Sequence, residues 1–295
     1  MDFGDFALSG RFPAGQVQNT TLFGVFELLK SLDLSASSLV DIGTYDGLVA
    51  FGARKLGAQT VIGVDTYDRP TFRLARKILN LEDDVQYEPR KQIRDLPNIF
   101  KHKSLDVIVC AGVIYHMFHP MQAFVYPRFA LRDGGYLIME TPFDASSDQA
   151  HLIFNGVEKA VNEPYKYFVA SRSALIGMAH LSGFSVKAIR TLKPLNRITL
   201  LLRASSREEL IEDQSVAPFT KQMLKRDTCD DEFRFKDLEA LPASTALVSE
   251  RRIHTFERAI DPQYDQPGFP LHPPMDRPSF GSTRFETKHG NLKEL

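Results

Sequence analysis

Short apolar runs alternate with segments of helical periodicity over the first 205 residues of the chain. Apolar runs bounded by glycine, proline or polar residues indicate buried strands, whereas apolar residues that recur every three to four positions indicate amphipathic helices. The pattern predicts seven strands, at 38–43, 60–65, 85–89, 105–114, 135–141, 183–192 and 197–205. It predicts helices at 20–33, 46–57, 69–80, 119–132, 148–161 and 171–182.

The order of these elements predicts an α/β fold. Strands that alternate with helices form βαβ units and therefore a mainly parallel sheet. Continuous apolar strands fit a sheet that helices cover on both faces. The last two strands are close enough in sequence to be antiparallel neighbours. We therefore predict a Rossmann-like, seven-stranded, mostly parallel sheet with an antiparallel last strand, followed by a C-terminal extension.

The composition changes after residue 205. Residues 206–240 are rich in charge and residues 262–278 contain six prolines, a composition typical of a disordered tail. The segment nevertheless retains aromatic residues that could anchor it to a surface: Phe233, Phe235, Phe256, Tyr264, Phe269, Phe280 and Phe285. We predict an N-terminal segment or lid at 1–19, a Rossmann-like domain at 20–205, and an ordered extension at 206–295 that serves as a lid or as a homodimer contact.

Charge and cysteine content restrict the partners. The net charge is −1 and the isoelectric point about 6.7, so no excess of basic residues predicts binding to nucleic acid or to an anionic membrane. Cys110 and Cys229 lack the spacing of a disulfide framework or of a metal site. The sequence shows no signal peptide and no apolar run long enough to span a membrane. We expect a cytoplasmic protein without a metal, for which a nucleic-acid partner is disfavoured.

The first chemical motif is the segment DIGTYDG, Asp41–Gly47, which follows the first predicted strand and opens a helix. Glycines there allow a sharp turn and a close approach of a ligand to the backbone. Asp65 ends the next predicted strand, where an acid can accept hydrogen bonds from ribose hydroxyls. A dinucleotide site favours GxGxxG for a pyrophosphate. Because this turn is acidic, it better suits the cationic end of a nucleoside sulfonium than NAD.

Three further motifs follow in the chain: AGVIYH at 111–116 with Pro120, LRDGGYLIMET at 131–141, and SRSALIGMAHLSGF at 171–184. Together with the turn and VIGVD, they resemble class I S-adenosylmethionine-dependent methyltransferases. The resemblance covers residues 20–205 and is strongest to the branch that includes the tRNA wobble-uridine carboxymethyltransferase. One departure lies in the turn, where Tyr45 replaces the glycine of the commoner motif.

The resemblance implies S-adenosyl-L-methionine as the cofactor and assigns residues to its parts. The turn would surround the methionine part, with Asp41, Gly43, Thr44, Tyr45 and Gly47 as its residues. Asp65 would hold the ribose, and Gln92 and Ile93 would face the adenine. Cys110, Ala111 and Gly112 would form the floor under the sulfonium.

The acceptor should bind beyond the carboxyl ends of the strands, as ligands do in open α/β sheets. Tyr115, His116, His119 and Glu140 lie there and are the catalytic candidates. His116 is the best candidate for a general base, because imidazole accepts a proton near pH 7; a purely structural role in the loop is equally compatible. The two histidines with Cys110 lack further ligands at metal spacing, which argues against a metal.

Three functions remain open at this stage. The first is methyl transfer by direct displacement to a small-molecule metabolite, such as an amino acid or a natural-product intermediate. The second is modification of the tRNA wobble uridine, which would require a basic surface near the site. The third is a non-catalytic module that binds the cofactor. The sequence favours the first because of its neutral charge.

Overall fold

The computed structural model describes residues 6–9, 21–155, 166–226, 284–287 and 290–292, the three short terminal ranges by their backbone alone. Its strands are β1 (Phe6–Ser9), β2 (Ser38–Ile42), β3 (Thr60–Asp65), β4 (Val85–Pro89), β5 (Leu105–Ala111), β6 (Leu131–Asp144), β7 (Leu152–Phe154), β8 (Phe168–Ser171), β9 (Phe184–Leu192), β10 (Arg197–Ala204), β11 (Arg284–Thr287) and β12 (Gly290–Leu292). Its α-helices are α1 (Phe23–Lys30), α2 (Leu48–Lys55), α3 (Pro70–Ile78), α4 (Leu96–Ile99), α5 (Gln122–Ala130), α6 (Arg172–Leu181), α7 (Arg207–Glu212) and α8 (Pro218–Arg226).

Seven of the nine strands of the main sheet follow the order β4-β3-β2-β5-β6-β10-β9, and β7 and β8 join it at the end of β6. Strands β2 to β6 pair in parallel, whereas β10 runs antiparallel to both β6 and β9. The predicted α/β fold, with an antiparallel last strand, is therefore confirmed. All seven predicted strands exist, and the longest difference is β6, which begins four residues earlier and ends three residues later than its predicted span of 135–141.

One face of the sheet packs against α1, α2 and α3. Alternate strand positions supply its side chains, such as Val107 and Val109 on β5, which match the two-residue period of a strand. Phe51 of α2 and Phe72 of α3 are fully buried beside them, with ring centroids 4.9 Å apart. This core holds the carboxyl ends of the parallel strands at one edge, where the site lies.

The segment after β6 differs from its prediction. Helix 148–161 was expected, but Leu152–Phe154 forms β7, which pairs antiparallel with β8, while β8 pairs in parallel with the end of β6. Residues 156–161 lie outside the described residues. The helix prediction is therefore wrong for 152–154, because a neighbouring strand can decide the conformation of a short apolar run whose local pattern fits either structure.

The chain after β10 begins with two helices. Ser206 caps α7, accepting a hydrogen bond from the backbone amide of Glu209, whose carboxylate in turn accepts one from the amide of Ser206. Leu210, Val216 and Leu224 form a small apolar cluster between α7 and α8. At the termini, β1 pairs with β11 and β11 with β12, all antiparallel.

The predicted division at residues 19 and 205 stays a prediction. Contacts between Cα atoms divide the chain into Met1–Lys225 with Thr283–Leu295, and Arg226–Ser282. Apart from Arg226, the second unit lies outside the described residues, as do the side chains of all the predicted aromatic anchors. Among the described residues, no helix combines the length and the apolar character needed to cross a membrane.

Candidate active site

The candidate site lies at the carboxyl ends of four neighbouring strands and has two halves. The acidic half consists of the turn Asp41–Gly47 after β2 and of residues Asp65–Arg69 after β3. The ion-pair half consists of Tyr115, Glu140, Lys166 and Arg197. The two halves meet where β2 and β5 pair, since Ile42 lies opposite Cys110 and, one strand further, Ala111 lies opposite Glu140.

The turn of the acidic half is held by its own backbone. The amides of Gly43 and Thr44 both donate to Val64 O, at 2.8 and 3.1 Å, and the amide of Gly47 donates to Thr44 O at 2.8 Å. Gly43, Tyr45 and Gly47 have φ angles of +70°, +52° and +88°. Tyr45 is the unusual member, because a left-handed conformation is rare for a bulky residue. Its amide donates to Asp65 Oδ2 at 3.0 Å, which stabilises that conformation.

The two glycines are needed for space as well as for φ. A Cβ atom on Gly43 would lie 2.5 Å from Val113 Cγ2, and one on Gly47 would overlap the rings of Phe51 and Phe72. Gly47 therefore has a packing role against the core, independent of any ligand. Gly43 faces the loop after β5, so its lack of a side chain keeps the two halves close together.

Two carboxylates of the turn are buried. Asp41 accepts a hydrogen bond from Thr44 Oγ1 at 2.7 Å, and Asp46 accepts one from Thr71 Oγ1. Burial raises the pKa of Asp41 to about 7, although the bond from Thr44 opposes the rise. Burial likewise raises the pKa of Asp46. Both acids shape the turn, and a cation bound nearby would favour their charged forms.

Asp65 is buried at the end of β3, with 3% of its surface exposed. Its Oδ1 accepts from the amide of Tyr67 at 2.8 Å and from Arg69 Nε at 3.3 Å. The guanidinium of Arg69 lies between two rings, 4.5 Å from the centroid of Tyr45 and 4.9 Å from that of Tyr67. Asp65 thus organises the loop around it, and it lies where the sequence placed a ribose acceptor.

The loop after β4 also reaches Asp65. The amide of Lys91 donates to Asp65 O at 2.9 Å, and Gln92 caps a 3₁₀ turn over Ile93–Asp95. Ile93 is buried, whereas Gln92 is partly exposed. The structure therefore brings Gln92 and Ile93 to the same edge as Asp65, as the predicted adenine site requires.

The floor between the halves is the end of β5. Cys110 is fully buried, and burial raises the pKa of its thiol far above the ordinary value, so the thiol is protonated. Gly112 has a φ of +72° and donates its amide to Glu140 O at 2.9 Å. A neutral thiol and a turning glycine leave this floor apolar and close to both halves.

Glu140 makes the central contact of the ion-pair half. Its carboxylate receives two bonds from Arg197, Nε–Oε1 at 2.6 Å and Nη2–Oε2 at 2.7 Å. Burial lowers the pKa of Arg197, but the paired carboxylate outweighs burial and raises it. Burial raises the pKa of Glu140, although the bonds from Arg197 oppose that rise. Glu140 was expected among the catalytic candidates; this geometry makes it the partner that positions Arg197.

Tyr115 lies between two cations. Lys166 Nζ is 5.0 Å from the centroid of its ring and the guanidinium of Arg197 is 5.4 Å away. Sequence reasoning identified Tyr115 but missed both cations. The available signal was the position of Arg197 at the start of β10, which becomes informative only once β10 is known to lie beside β6.

The two histidine candidates are exposed. His116 ends the 3₁₀ turn Ile114–His116, and its ring centroid is 4.2 Å from that of Tyr115. His119 contacts Phe118 edge-on at 5.1 Å. His116 therefore adjoins the ion-pair half. His119 instead contacts Phe118, which is not part of that half. Within the described ranges, no three His, Cys, Asp or Glu residues are arranged to hold a metal ion.

A small, mostly apolar pocket adjoins the ion-pair half. It is lined by Ile114, Tyr115, Pro120, Thr141, Leu152, Phe168, Ala170, Leu175 and Met178. The inserted strands β7 and β8 supply three of these residues, which the sequence did not predict as part of the site. Leu152 and the neighbouring Phe154 are each 44% exposed, so the apolar surface continues outward from the pocket.

Comparison with known proteins now decides the family. A family model described as a methyltransferase domain matches residues 19–189, more than half of the chain. The chain belongs to this methyltransferase family. The predicted resemblance to class I S-adenosylmethionine-dependent methyltransferases, and S-adenosyl-L-methionine as the cofactor, are confirmed.

Curated relatives of this methyltransferase are named tRNA U34 carboxymethyltransferase. The protein from Campylobacter hominis is 33% identical over 132 residues, which cover 44% of this chain and 45% of the relative. That from Campylobacter jejuni subsp. doylei is 28% identical over 163 residues, 54% of each chain. The chain therefore spans about half the length of these relatives. Substrate and partners do not follow from such partial matches.

Solved structures support the fold of this methyltransferase. The 1,6-didemethyltoxoflavin-N1-methyltransferase of Burkholderia thailandensis, solved with its namesake compound and S-adenosylhomocysteine bound, superimposes with a TM-score of 0.53. The match covers 65% of this chain and 82% of that one, at 14% sequence identity.

The acidic half fits the cofactor. Asp65 is a buried carboxylate at the end of β3. The neighbouring turn contains two glycines, Gly43 and Gly47, whose lack of side chains lets a ligand approach the backbone. Asp41 and Asp46 supply buried acidic groups of the kind that an ammonium or sulfonium would stabilise. Asp41, Gly43, Asp46, Gly47 and Asp65 are therefore the residues that would hold S-adenosylmethionine.

Proposed function

We propose that this methyltransferase transfers a methyl group to a small organic acceptor whose apolar part lies in the pocket between the ion-pair half and β7–β8. The observation that carries the proposal is the apolar lining beside the strand ends, from Ile114 to Met178. Small-molecule sites are typically concave and mostly apolar, with few polar groups that fix orientation. This pocket has room for about one water molecule, so it would take a single apolar group while the rest of the acceptor lies on the exposed apolar surface of Leu152 and Phe154.

On this proposal the acidic half binds the cofactor and orients it. Asp65 accepts hydrogen bonds from the ribose hydroxyls, and the turn around Gly43 receives the methionine part. S-adenosylmethionine supplies an electrophilic methyl group when it is bound. The protein then needs chiefly to align the acceptor and exclude water, as is usual in direct displacement.

The ion-pair half and the adjoining His116 orient the acceptor and accept its proton. Tyr115 orients it beside Gly112, and His116 accepts a proton if the acceptor atom must lose one. Leu152 and Ile114 exclude water from the reacting end. An acceptor that carries no proton on the reacting atom would make His116 dispensable, so the effect of His116→Ala reports the acceptor chemistry.

The experiment uses methyl-labelled S-adenosylmethionine. Full-length protein is incubated with a filtered low-molecular-weight metabolite extract and, separately, with total tRNA. After the labelled cofactor is separated, we expect label in a product of the small-molecule fraction, and less of that product with Asp65→Ala at a cofactor concentration below saturation. Label that appears only in tRNA, or in neither fraction, would refute the small-molecule proposal. Absence of label would leave the non-catalytic module and carboxymethyl transfer from a carboxylated cofactor.

A second candidate is carboxymethyl transfer to the wobble uridine of tRNA. The names of the relatives favour it, and so does one contact: Tyr115 lies between Lys166 and Arg197, which together could neutralise a carboxylate. For this reason the sequence-based expectation against a nucleic-acid acceptor lacks support. Mass spectrometry of the nucleoside cofactor that co-purifies separates the candidates: unmodified S-adenosylmethionine supports methyl transfer, and a carboxylated form supports the second.

A further inference from the structure

The carboxylate of Asp65 has few acceptor positions left for a ligand. Among the described residues, its donors are the amides of Tyr45 and Tyr67 and the Nε of Arg69. Each carboxylate oxygen has two lone pairs in the plane of the group. Oδ1 already accepts from Tyr67 and Arg69, whereas Oδ2 accepts from Tyr45. A diol that bonds to both oxygens therefore needs the position on Oδ1 that Arg69 occupies.

Of the two donors on Oδ1, only the side chain can leave without rearranging the backbone. The amide of Tyr67 belongs to a loop that is held by two hydrogen bonds to the hydroxyl of Tyr87 on β4. Tyr87 Oη donates to Tyr67 O at 3.0 Å and accepts from the amide of Arg69 at 2.8 Å. The contact of Arg69 Nε, at 3.3 Å, is also the longest of the three on the carboxylate and hence the weakest.

The guanidinium of Arg69 has a second set of contacts that does not require Asp65. It lies between the rings of Tyr45 and Tyr67, and its side chain is 23% exposed. A cation between two aromatic faces is stabilised by their quadrupoles. Arg69 can therefore give up its bond to Asp65 while it keeps the stacking contacts at the rim of the site.

We propose that Arg69 is an internal competitor of the ribose: its Nε holds an acceptor position of Asp65 that a ribose hydroxyl takes over when the nucleoside binds. The inference rests on the proposed role of Asp65. It makes Arg69 a residue that tunes cofactor affinity, since the protein must break its own ion pair to bind. The competition also keeps the buried charge of Asp65 compensated before binding.

The test replaces Arg69 by methionine, which keeps the apolar stem between the two tyrosines and removes the donor and the charge. We expect Arg69→Met to bind S-adenosylhomocysteine about two- to fivefold more tightly in isothermal titration, the range of a partly exposed ion pair. The matched control is Arg73→Met. Arg73 lies on α3, the helix that Arg69 caps; it pairs with Asp68 at 2.9 Å and stacks on Tyr87, but does not contact Asp65. The affinity of Arg73→Met for S-adenosylhomocysteine should equal that of the unmodified protein.

Two nucleosides identify the group that competes. Adenosine should show the gain in Arg69→Met, whereas 2′,3′-dideoxyadenosine, which lacks both hydroxyls, should not. A purely structural effect of the substitution would change both nucleosides alike. Arg69→Lys restores a cation near Asp65 and should return the affinity of adenosine toward that of the unmodified protein.

Weaker or equal binding of adenosine by folded Arg69→Met would overturn the inference, as would an equal gain for the dideoxy compound. If Arg69→Met does not fold, Arg69→Gln decides in its place, because it also removes the charge beside Asp65 and should strengthen adenosine binding relative to Arg73→Gln. Asp65→Asn separates this inference from its premise. Unchanged adenosine affinity in Asp65→Asn removes Asp65 from the ribose site, whereas a loss there without a gain in Arg69→Met refutes the competition alone.

Discussion

The acidic half and the ion-pair half hold their charges by different means. In the acidic half, uncharged donors from the turns after β2 and β3 bind much of the buried acid: the amides of Tyr45 and Tyr67 donate to Asp65, and threonine hydroxyls donate to Asp41 and Asp46. In the ion-pair half, the charge of Glu140 is balanced by a side chain 57 residues away, Arg197, on a strand that runs in the opposite direction. The first half is set by two consecutive strand-to-helix turns, and the second depends on a strand from a distant part of the chain.

This difference indicates a division of labour. A site held by its own backbone presents a constant surface, which suits a cofactor common to a family. A site built from distant side chains and from the inserted strands β7 and β8 changes when any one element changes. We therefore expect substitutions in the acidic half to affect cofactor binding and those in the ion-pair half to affect stability and the acceptor.

The largest effect should come from Arg197→Met. It leaves the fully buried carboxylate of Glu140 without its partner, and loss of one member of a buried pair costs about 3–5 kcal/mol. Urea denaturation measures the loss, and adding Glu140→Gln should restore most of it. Arg190→Met is the control on the adjoining strand β9, where Arg190 pairs with Glu27 on the surface; its cost should stay below about 1 kcal/mol. Equal costs for the two variants would mean that the buried pair is not special.

A smaller loss is expected from Gly43→Ala in the acidic half. The left-handed φ and the contact of the new Cβ with Val113 together should cost about 2–4 kcal/mol. The added substitution Val113→Ala should return the part due to the clash but not the part due to φ. Gly177→Ala is the comparison, because it lies on α6 with no described atom within 4 Å of the new Cβ. That change should stabilise by roughly 0.5–1 kcal/mol. Full stability of Gly43→Ala would contradict the turn geometry.

The sequence predicted most of the acidic half but only part of the ion-pair half. The turn Asp41–Gly47, Asp65 and the strands β3 and β4 were predicted with their ends, because each rests on a local pattern of apolar residues and glycines. Arg197, Lys166 and the lining by Leu152 and Phe168 were not predicted, because they join the site only through strand order. A local helical pattern cannot reveal that 152–154 pairs with β8.

A pH effect should distinguish the buried acid of the turn. The pKa of Asp41 is raised to about 7 in the folded protein, so between pH 4 and 7 the folded state binds more protons than the unfolded state. Stability due to this group therefore falls as pH rises through that window. Asp41→Asn does not titrate, so its free energy of unfolding relative to the unmodified protein should improve by roughly 1–3 kcal/mol from pH 5 to pH 8. A difference that is flat across this range would show that Asp41 titrates normally.

The central claim is that Asp65 anchors the cofactor of this methyltransferase, and calorimetric affinity for S-adenosylhomocysteine tests it most directly. The comparison is Asp65→Ala against Asp106→Ala, an aspartate at the opposite end of the sheet whose carboxylate binds Ser38. The account predicts a loss of roughly 1–3 kcal/mol, about 5- to 150-fold in affinity, for Asp65→Ala and no change for Asp106→Ala. Unchanged affinity in a folded Asp65→Ala protein would contradict the account.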